Sequence, residues 1–180
     1  MSDALVGRER ERRHLRGARL DPEIAAVVLR GPAGAGKSAL AEAELVEAAA
    51  AGSLVGAGKY AEAALRSAFE PIVASLAQVA SAAIDQLYDP AAGLQALASA
   101  LGDGAGPLVE AGFHVEGLAA AEAPSLAGRR EAAARLAGAA LRLLEWLTGF
   151  GAPVVLLIDD WRRGGPEALR LVRAMIAKAS

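Results

Sequence analysis

The chain of 180 residues contains neither cysteine nor asparagine. The lack of cysteine excludes a disulfide framework, thiolate ligands for zinc and catalysis by a thiol. Long hydrophobic runs are also missing, because the longest uncharged segments, residues 71–84 and 146–158, are shorter than the ~18–20 residues of a membrane-spanning helix. The N-terminus is charged, which excludes the apolar core of a signal peptide. We therefore expect a cytoplasmic protein that makes no contact with a membrane.

Aromatic residues make up only 4% of the chain, whereas hydrophobic residues make up 54%. A core built mainly from leucine, valine, isoleucine and alanine favours closely packed helices. The formal net charge of -2 gives no general reason to expect a nucleic-acid partner, so direct contact with nucleic acid is not expected. The length suits one domain, which we assign to residues 1–180.

Two short apolar runs, residues 24–29 and 154–158, have the length and composition of buried strands. A further strand over residues 53–57 has weaker support. Helices are predicted over residues 3–19, 38–50, 125–147 and 166–178, and the alanine-rich middle, residues 60–122, is mostly helical by propensity. Strands that alternate with helices are typical of an α/β fold with a parallel sheet.

A glycine-rich motif follows the first predicted strand. Residues 31–38 read GPAGAGKS and match the phosphate-loop (Walker A) pattern G-x-x-x-x-G-K-[ST], with a helix predicted directly after it. Glycines let the backbone amides point at an anion, and the helix N-terminus adds a partial positive charge. Lys37 is expected to contact the β- and γ-phosphates and Ser38 to bind Mg²⁺. The predicted nucleotide-binding residues of this motif are Gly31, Pro32, Ala33, Gly34, Ala35, Gly36, Lys37, Ser38 and Ala39.

A pair of carboxylates, Asp159 and Asp160, closes the last predicted strand. Residues at the C-terminal ends of strands lie where open α/β sheets bind their ligands. Asp159 is expected to hold Mg²⁺ and Asp160 to orient or deprotonate an attacking water. The alternative is a solvated pair at the start of a loop.

The lack of asparagine helps to choose between ATP and GTP. An N-K-x-D motif, which recognises guanine, is excluded, so ATP is favoured.

The segment Leu5 to Glu11, LVGRERE, resembles the GRxxE box of AAA-type ATPase modules in the signal-transduction (STAND) and origin-recognition-like group. The segments Gly58 to Tyr60 and Phe69 to Val73 resemble the region after the second strand in bacterial regulatory ATPases of this group. VVLLIDD, at residues 154–160, resembles the Walker B strand. The resemblance covers nearly the whole chain.

This resemblance implies a P-loop NTPase of three α/β/α layers that uses ATP and Mg²⁺ as a switch within a longer signalling or transcription-regulating protein. It places Val6, Gly7 and Arg8 near the adenine and implies further domains or protein partners, with oligomerisation on nucleotide binding as a possibility. Arg8 shares one helix face with Arg12, Arg16 and Arg19, so the competing interpretation is a solvated stripe of arginines.

The family sheet has the strand order 5-1-4-3-2, in which the fourth strand lies between the phosphate-loop strand and the Walker B strand. The sequence ends one helix after Walker B, so we expect the polar sensor residue of that fourth strand, the arginine finger and the helical lid to be absent. Three alternatives follow: the first and third strands pair directly, a partner supplies the strand, or the chain is part of a longer gene product.

Three functions are compatible with these motifs. The first is an ATP-Mg²⁺-binding module whose complete parent hydrolyses ATP, with Lys37, Asp159 and Asp160 as the catalytic residues. The second is a non-hydrolysing binding or interaction module, since sensor and finger residues are missing. The third is a small-molecule kinase, for which Arg162 and Arg163 are the candidates for a lid.

Overall fold

The structure is a computed structural model that describes residues 7–60, 67–118 and 129–179. Seven α-helices and two β-strands lie in these segments. The strands are β1 (Leu54–Lys59) and β2 (Val154–Asp159). The helices are α1 (Glu9–Leu20), α2 (Lys37–Ala50), α3 (Glu70–Asp85), α4 (Pro90–Leu101), α5 (Ala105–Glu110), α6 (Arg129–Thr148) and α7 (Gly165–Ala179). Short 3₁₀ turns precede α5 and α7.

The two strands form a parallel sheet in which Leu54 pairs with Val154 and Lys59 pairs with Asp159. Parallel neighbours need a long crossover, and here the crossover contains α3 to α6. The register brings the C-terminal ends of both strands to the same edge of the sheet, beside the start of α2. The prediction of an α/β fold with a parallel sheet is confirmed, and the weakly supported strand over residues 53–57 corresponds to β1.

The core lies between the sheet and the long helices α3 and α6. Buried side chains of α3 include Ile72, Val73, Leu76 and Val79, each at most 1% exposed. The helix predicted over residues 125–147 corresponds, in its described part, to α6, which has one buried face. That face consists of Leu136, Ala139, Ala140, Leu143 and Leu147. Aliphatic side chains thus make up most of the core, as the low aromatic content predicts, although Tyr60 and Phe113 are also buried.

Strand β1 approaches α3 so closely that two of its positions have no room for a side chain. A Cβ atom at Gly58 would lie 1.9 Å from the carbonyl oxygen of Pro71, and one at Gly56 would lie 2.1 Å from that of Ser75. Because both obstacles are backbone atoms, no change of rotamer could relieve the overlap. The outer edge of β1 is closed by Gln78, whose side-chain amide accepts from Ala57 N at 3.0 Å and donates to Ala57 O at 2.8 Å.

The predicted buried strand over residues 24–29 is wrong. This segment is paired with neither strand, and Ile24, Val27 and Val28 are 44%, 50% and 54% exposed. A strand is stable only when a neighbour accepts its backbone hydrogen bonds, and within the described residues the free edge of β2 has no second strand beside it. Direct pairing of the first and third predicted strands is therefore not found.

No helix in the described part of the chain is both long enough and apolar enough to span a membrane.

Candidate functional site

The phosphate loop, residues 31–38, connects residues 24–30 to α2. Gly34 and Gly36 both have φ near +74°, a left-handed conformation that glycine adopts without steric cost, and Gly36 is the N-cap of α2. The ammonium group of Lys37 donates to the carbonyl oxygen of Pro32 at 2.8 Å, so the lysine folds back over the loop that precedes it. Residues 31–34 are exposed, and the structure thus presents an open loop at a helix N-terminus, the arrangement that binds phosphate groups.

The hydroxyl group of Ser38 donates to Asp159 Oδ2 at 2.9 Å, although the two residues are 121 positions apart in the chain. Ser38 lies in the first turn of α2, and Asp159 is the last residue of β2. The structure thus brings together the two residues predicted as metal ligands. A hydroxyl oxygen and a carboxylate oxygen are hard ligands that fit Mg²⁺, which commonly binds few protein groups and completes its shell with water and phosphate oxygens.

Lys59 completes this cluster and was not among the predicted site residues. Its ammonium group lies 3.1 Å from Asp159 Oδ2, the same oxygen atom that accepts from Ser38. Two sequence features could have indicated it: it is one of only three lysines in the chain, and it lies two residues after the short strand predicted over residues 53–57. The strand register, which places Lys59 opposite Asp159, is what makes the contact.

The pKa of Asp159 reflects this environment. Burial acts to raise the pKa of the carboxyl group, but hydrogen bonds from Lys59 and Ser38, with a third from the next backbone N–H, hold it below its usual value. The pKa of Lys59 is raised, first by its hydrogen bond to Asp159 and then by the charge of that carboxylate. Asp159 is thus an ionised carboxylate at neutral pH, as a metal ligand must be.

Asp160 lies beside the cluster with an unusual backbone. Its φ is +53°, the only positive value among the non-glycine residues that the structure describes, and its backbone N–H donates to Asp159 Oδ1 at 2.9 Å. Aspartate is one of the few residue types that adopt this left-handed conformation without a large cost. The turn directs the chain away from the strand, and Asp160 is exposed next to the Ser38–Asp159 pair. Arg162 and Arg163 follow in an exposed 3₁₀ turn.

Arg8 reaches the phosphate loop from the other side. Its guanidinium group donates to the carbonyl oxygen of Ala35 at 2.6 Å and pairs with Glu11 at 3.1 Å. Gly7 immediately precedes Arg8, whereas Val6 lies outside the described residues. The structure therefore places Arg8 at the loop backbone, and its predicted position near the adenine stays a prediction.

The interpretation of Arg12, Arg16 and Arg19 as a solvated stripe is incomplete, because all three arginines form ion pairs although Arg16 remains 53% exposed. Arg12 and Arg16 both pair with Glu47, and Arg19 pairs with Glu44 at 3.0 Å. Both glutamates belong to α2, so the arginines attach α1 to the helix that carries Lys37 and Ser38. The stripe looked solvent-facing because its acidic partners are separated from it by more than 20 residues of sequence.

Fold and site together define a P-loop nucleotide-binding protein. A family model for the AAA ATPase domain matches residues 4–180. The chain therefore belongs to the AAA ATPase domain family, which confirms the AAA-type ATPase module expected from the sequence. Comparison with curated proteins and with solved structures gave no match.

Proposed function

We propose that this chain is the ATP-Mg²⁺-binding module of a signalling or transcription-regulating ATPase. The observation that carries the proposal is the 2.9 Å hydrogen bond between Ser38 and Asp159, because it joins the Walker A helix to the end of the Walker B strand. Family membership supports nucleotide binding. The choice of ATP over GTP is supported by the lack of asparagine, and the regulatory role rests on the resemblance of residues 5–11 to the GRxxE box.

In this proposal the backbone amides of the loop and the N-terminus of α2 bind the phosphate groups. Lys37 is within reach because its ammonium group already lies over the loop, where it would exchange the carbonyl oxygen of Pro32 for phosphate oxygens. Ser38 and Asp159 hold Mg²⁺, whose charge would stabilise the negative charge that develops during phosphoryl transfer. Gly7 and Arg8, together with Val6, border the nucleoside.

Asp160 is the proposed base or orienting group for the attacking water. Its carboxylate follows the metal ligand directly and is exposed at the C-terminal edge of the sheet. A non-hydrolysing binding module is the second candidate. It is favoured by the free edge of β2, since no neighbouring strand within residues 7–60, 67–118 and 129–179 brings a polar side chain beside Asp160. Further domains or a protein partner would then complete the site.

Calorimetric titration with ATP in the presence of Mg²⁺ tests nucleotide binding. Lys37→Ala is expected to reduce ATP affinity at least tenfold, because the variant loses the point charge that contacts the phosphates. Lys178→Ala is the matched control, since Lys178 pairs with Glu145 at 2.6 Å on the surface and has no role in the proposed site. Unchanged ATP affinity in Lys37→Ala would rule out the assignment.

Steady-state turnover on the same proteins separates the two candidates. Asp160→Asn is the informative variant, because asparagine also tolerates the positive φ at this position but cannot act as a base. Turnover that is present in the natural chain and lost in Asp160→Asn supports hydrolysis by this module. ATP binding without turnover in either protein supports the non-hydrolysing module.

A further inference from the structure

Lys59 lies in the site, but it belongs neither to the phosphate loop nor to the pair Asp159 and Asp160, and the proposed function gives it no role. It contacts Asp159 Oδ2 at 3.1 Å, and its side chain is 62% exposed, so the ammonium group can move while the backbone stays fixed. The backbone is fixed because Lys59 is the last residue of β1, opposite Asp159 in the sheet and directly after the tightly packed Gly58. The ammonium group of Lys59 can therefore move, while its backbone stays fixed opposite Asp159, the proposed Mg²⁺ ligand.

One oxygen atom of Asp159 accepts from two groups. Asp159 Oδ2 accepts from Ser38 and from Lys59, and the proposed function makes the carboxylate of Asp159 a ligand of Mg²⁺ as well. An ammonium group 3.1 Å from an oxygen atom of that carboxylate would lie within a few ångströms of a divalent cation bound to it. Repulsion between the two cations disfavours holding both at once.

Carboxylates near Asp159 would keep Lys59 close to the site after release. Asp160 and Glu42 both act to raise the pKa of Lys59, after the larger effects of Asp159, so their charges lie within electrostatic range. The lysine therefore has acidic neighbours to move toward without leaving the edge of the sheet.

We propose that Lys59 and Mg²⁺ compete for the carboxylate of Asp159, so that Lys59 holds this side chain in the metal-free state and sets how strongly nucleotide binding depends on Mg²⁺. The inference rests on the proposed function of the site. Lys59 is a positioning residue in this scheme, because it acts through Asp159 and not on the nucleotide.

The competition has a measurable signature. Removing the ammonium group removes a competitor for Mg²⁺ and also removes a positive charge that attracts metal-free ATP. The ratio of the ATP dissociation constant in EDTA to that in saturating Mg²⁺ should therefore increase. An exposed ion pair changes an equilibrium by less than about one order of magnitude, so the expected increase is about 2- to 5-fold.

The experiment measures this ratio by calorimetry for the natural chain, Lys59→Met, Lys59→Arg and Lys178→Met. Methionine keeps the length of the side chain without its charge, and arginine keeps a cation opposite Asp159. We expect the ratio to increase in Lys59→Met alone. Lys178→Met controls for loss of a paired surface lysine elsewhere, since Lys178 bonds Glu145.

An unchanged ratio in Lys59→Met would overturn the inference. The proposed function would still stand in that case if the natural chain binds ATP. A lower ratio would also overturn it, because it would mean that Lys59 assists the metal-bound nucleotide directly. If the natural chain binds no ATP, the proposed function fails, and the inference is then tested by the melting temperature in Mg²⁺ alone. Competition requires the melting temperature of Lys59→Met to change at lower Mg²⁺ concentrations than that of the natural chain. An identical change in the two proteins contradicts the inference.

Discussion

Two regions meet at the site and differ in how they are held in place. The core region comprises β1, β2 and α3 to α7, and the N-terminal arm comprises residues 7–53. Buried apolar side chains fill the core region, whereas Leu40 and Ala48 are the buried apolar residues within the described arm. Helix α1 has no buried residue and is attached to α2 by ion pairs. The carboxylate of Asp159 thus belongs to a closely packed region, and the phosphate loop belongs to a loosely packed one.

This difference bears on how the site would work. Packing fixes the positions of Asp159 and Lys59 at the ends of paired strands. The loop contacts that position through Ser38 and is attached through polar groups that exchange readily with water. A ligand that bridges the loop and Asp159 would therefore order the arm against the core region. Three measurements test whether the two regions differ in packing.

The largest effect is expected from an alanine placed in β1. Gly58→Ala should destabilise the protein by about 3 kcal/mol or more, because the new Cβ atom would lie 1.9 Å from the Pro71 carbonyl oxygen and the backbones must separate. Gly17→Ala in α1 is the matched control, since nothing lies within 4 Å of a Cβ atom there. It should be neutral or stabilising by about 0.5–1 kcal/mol through helix propensity. Urea denaturation measures both, and equal changes would contradict the close approach of β1 to α3.

A smaller effect is expected from shortening two valines. Val79→Ala in α3 should cost about 2 kcal/mol, because Val79 is fully buried and its removal leaves a cavity. Val28→Ala in the arm should change the free energy of unfolding by less than about 0.5 kcal/mol, since Val28 is 54% exposed. Paired urea titrations provide the comparison. A loss at Val28 as large as that at Val79 would mean that residues 24–29 are buried in solution, and the arm would not be loosely packed.

The parts of this site that have local signals are predictable from the sequence. The glycine-rich motif with Lys37 and Ser38, and an apolar run ending in Asp159, are each recognisable within a few residues. Both strands that form the sheet are predicted from the sequence, and Ser38 and Asp159, each predicted as a Mg²⁺ ligand, are joined by a hydrogen bond in the structure.

The features that were predicted wrongly or missed share one physical cause. Each depends on contacts with residues that are far away in the sequence. Residues 24–29 are as apolar as a buried strand, but pairing requires a neighbour that the segment itself does not encode. Lys59 became part of the site only through the register of β1 against β2. The ion pairs of the α1 arginines are not predictable from the local sequence, because Glu44 and Glu47 lie on another helix.

The smallest effect concerns Tyr60, which follows Lys59 and marks how far the core region extends toward the site. Tyr60 is 1% exposed and donates to the Ala68 carbonyl oxygen at 2.7 Å. Burial raises its pKa from 10.0 to about 12. Because the folded pKa exceeds the unfolded one, the stabilising contribution is complete below pH 10 and is lost as the pH rises toward 12, by about 1 kcal/mol at pH 11. Urea titrations at pH 9 and pH 11 should show this loss in the natural chain and in Tyr88→Phe, whose tyrosine is fully exposed. The loss should be smaller in Tyr60→Phe, where Lys59, whose pKa is also raised, still contributes. An equal loss in Tyr60→Phe would mean that Tyr60 does not titrate with a raised pKa, and the packed region would then end before the residues that hold Asp159.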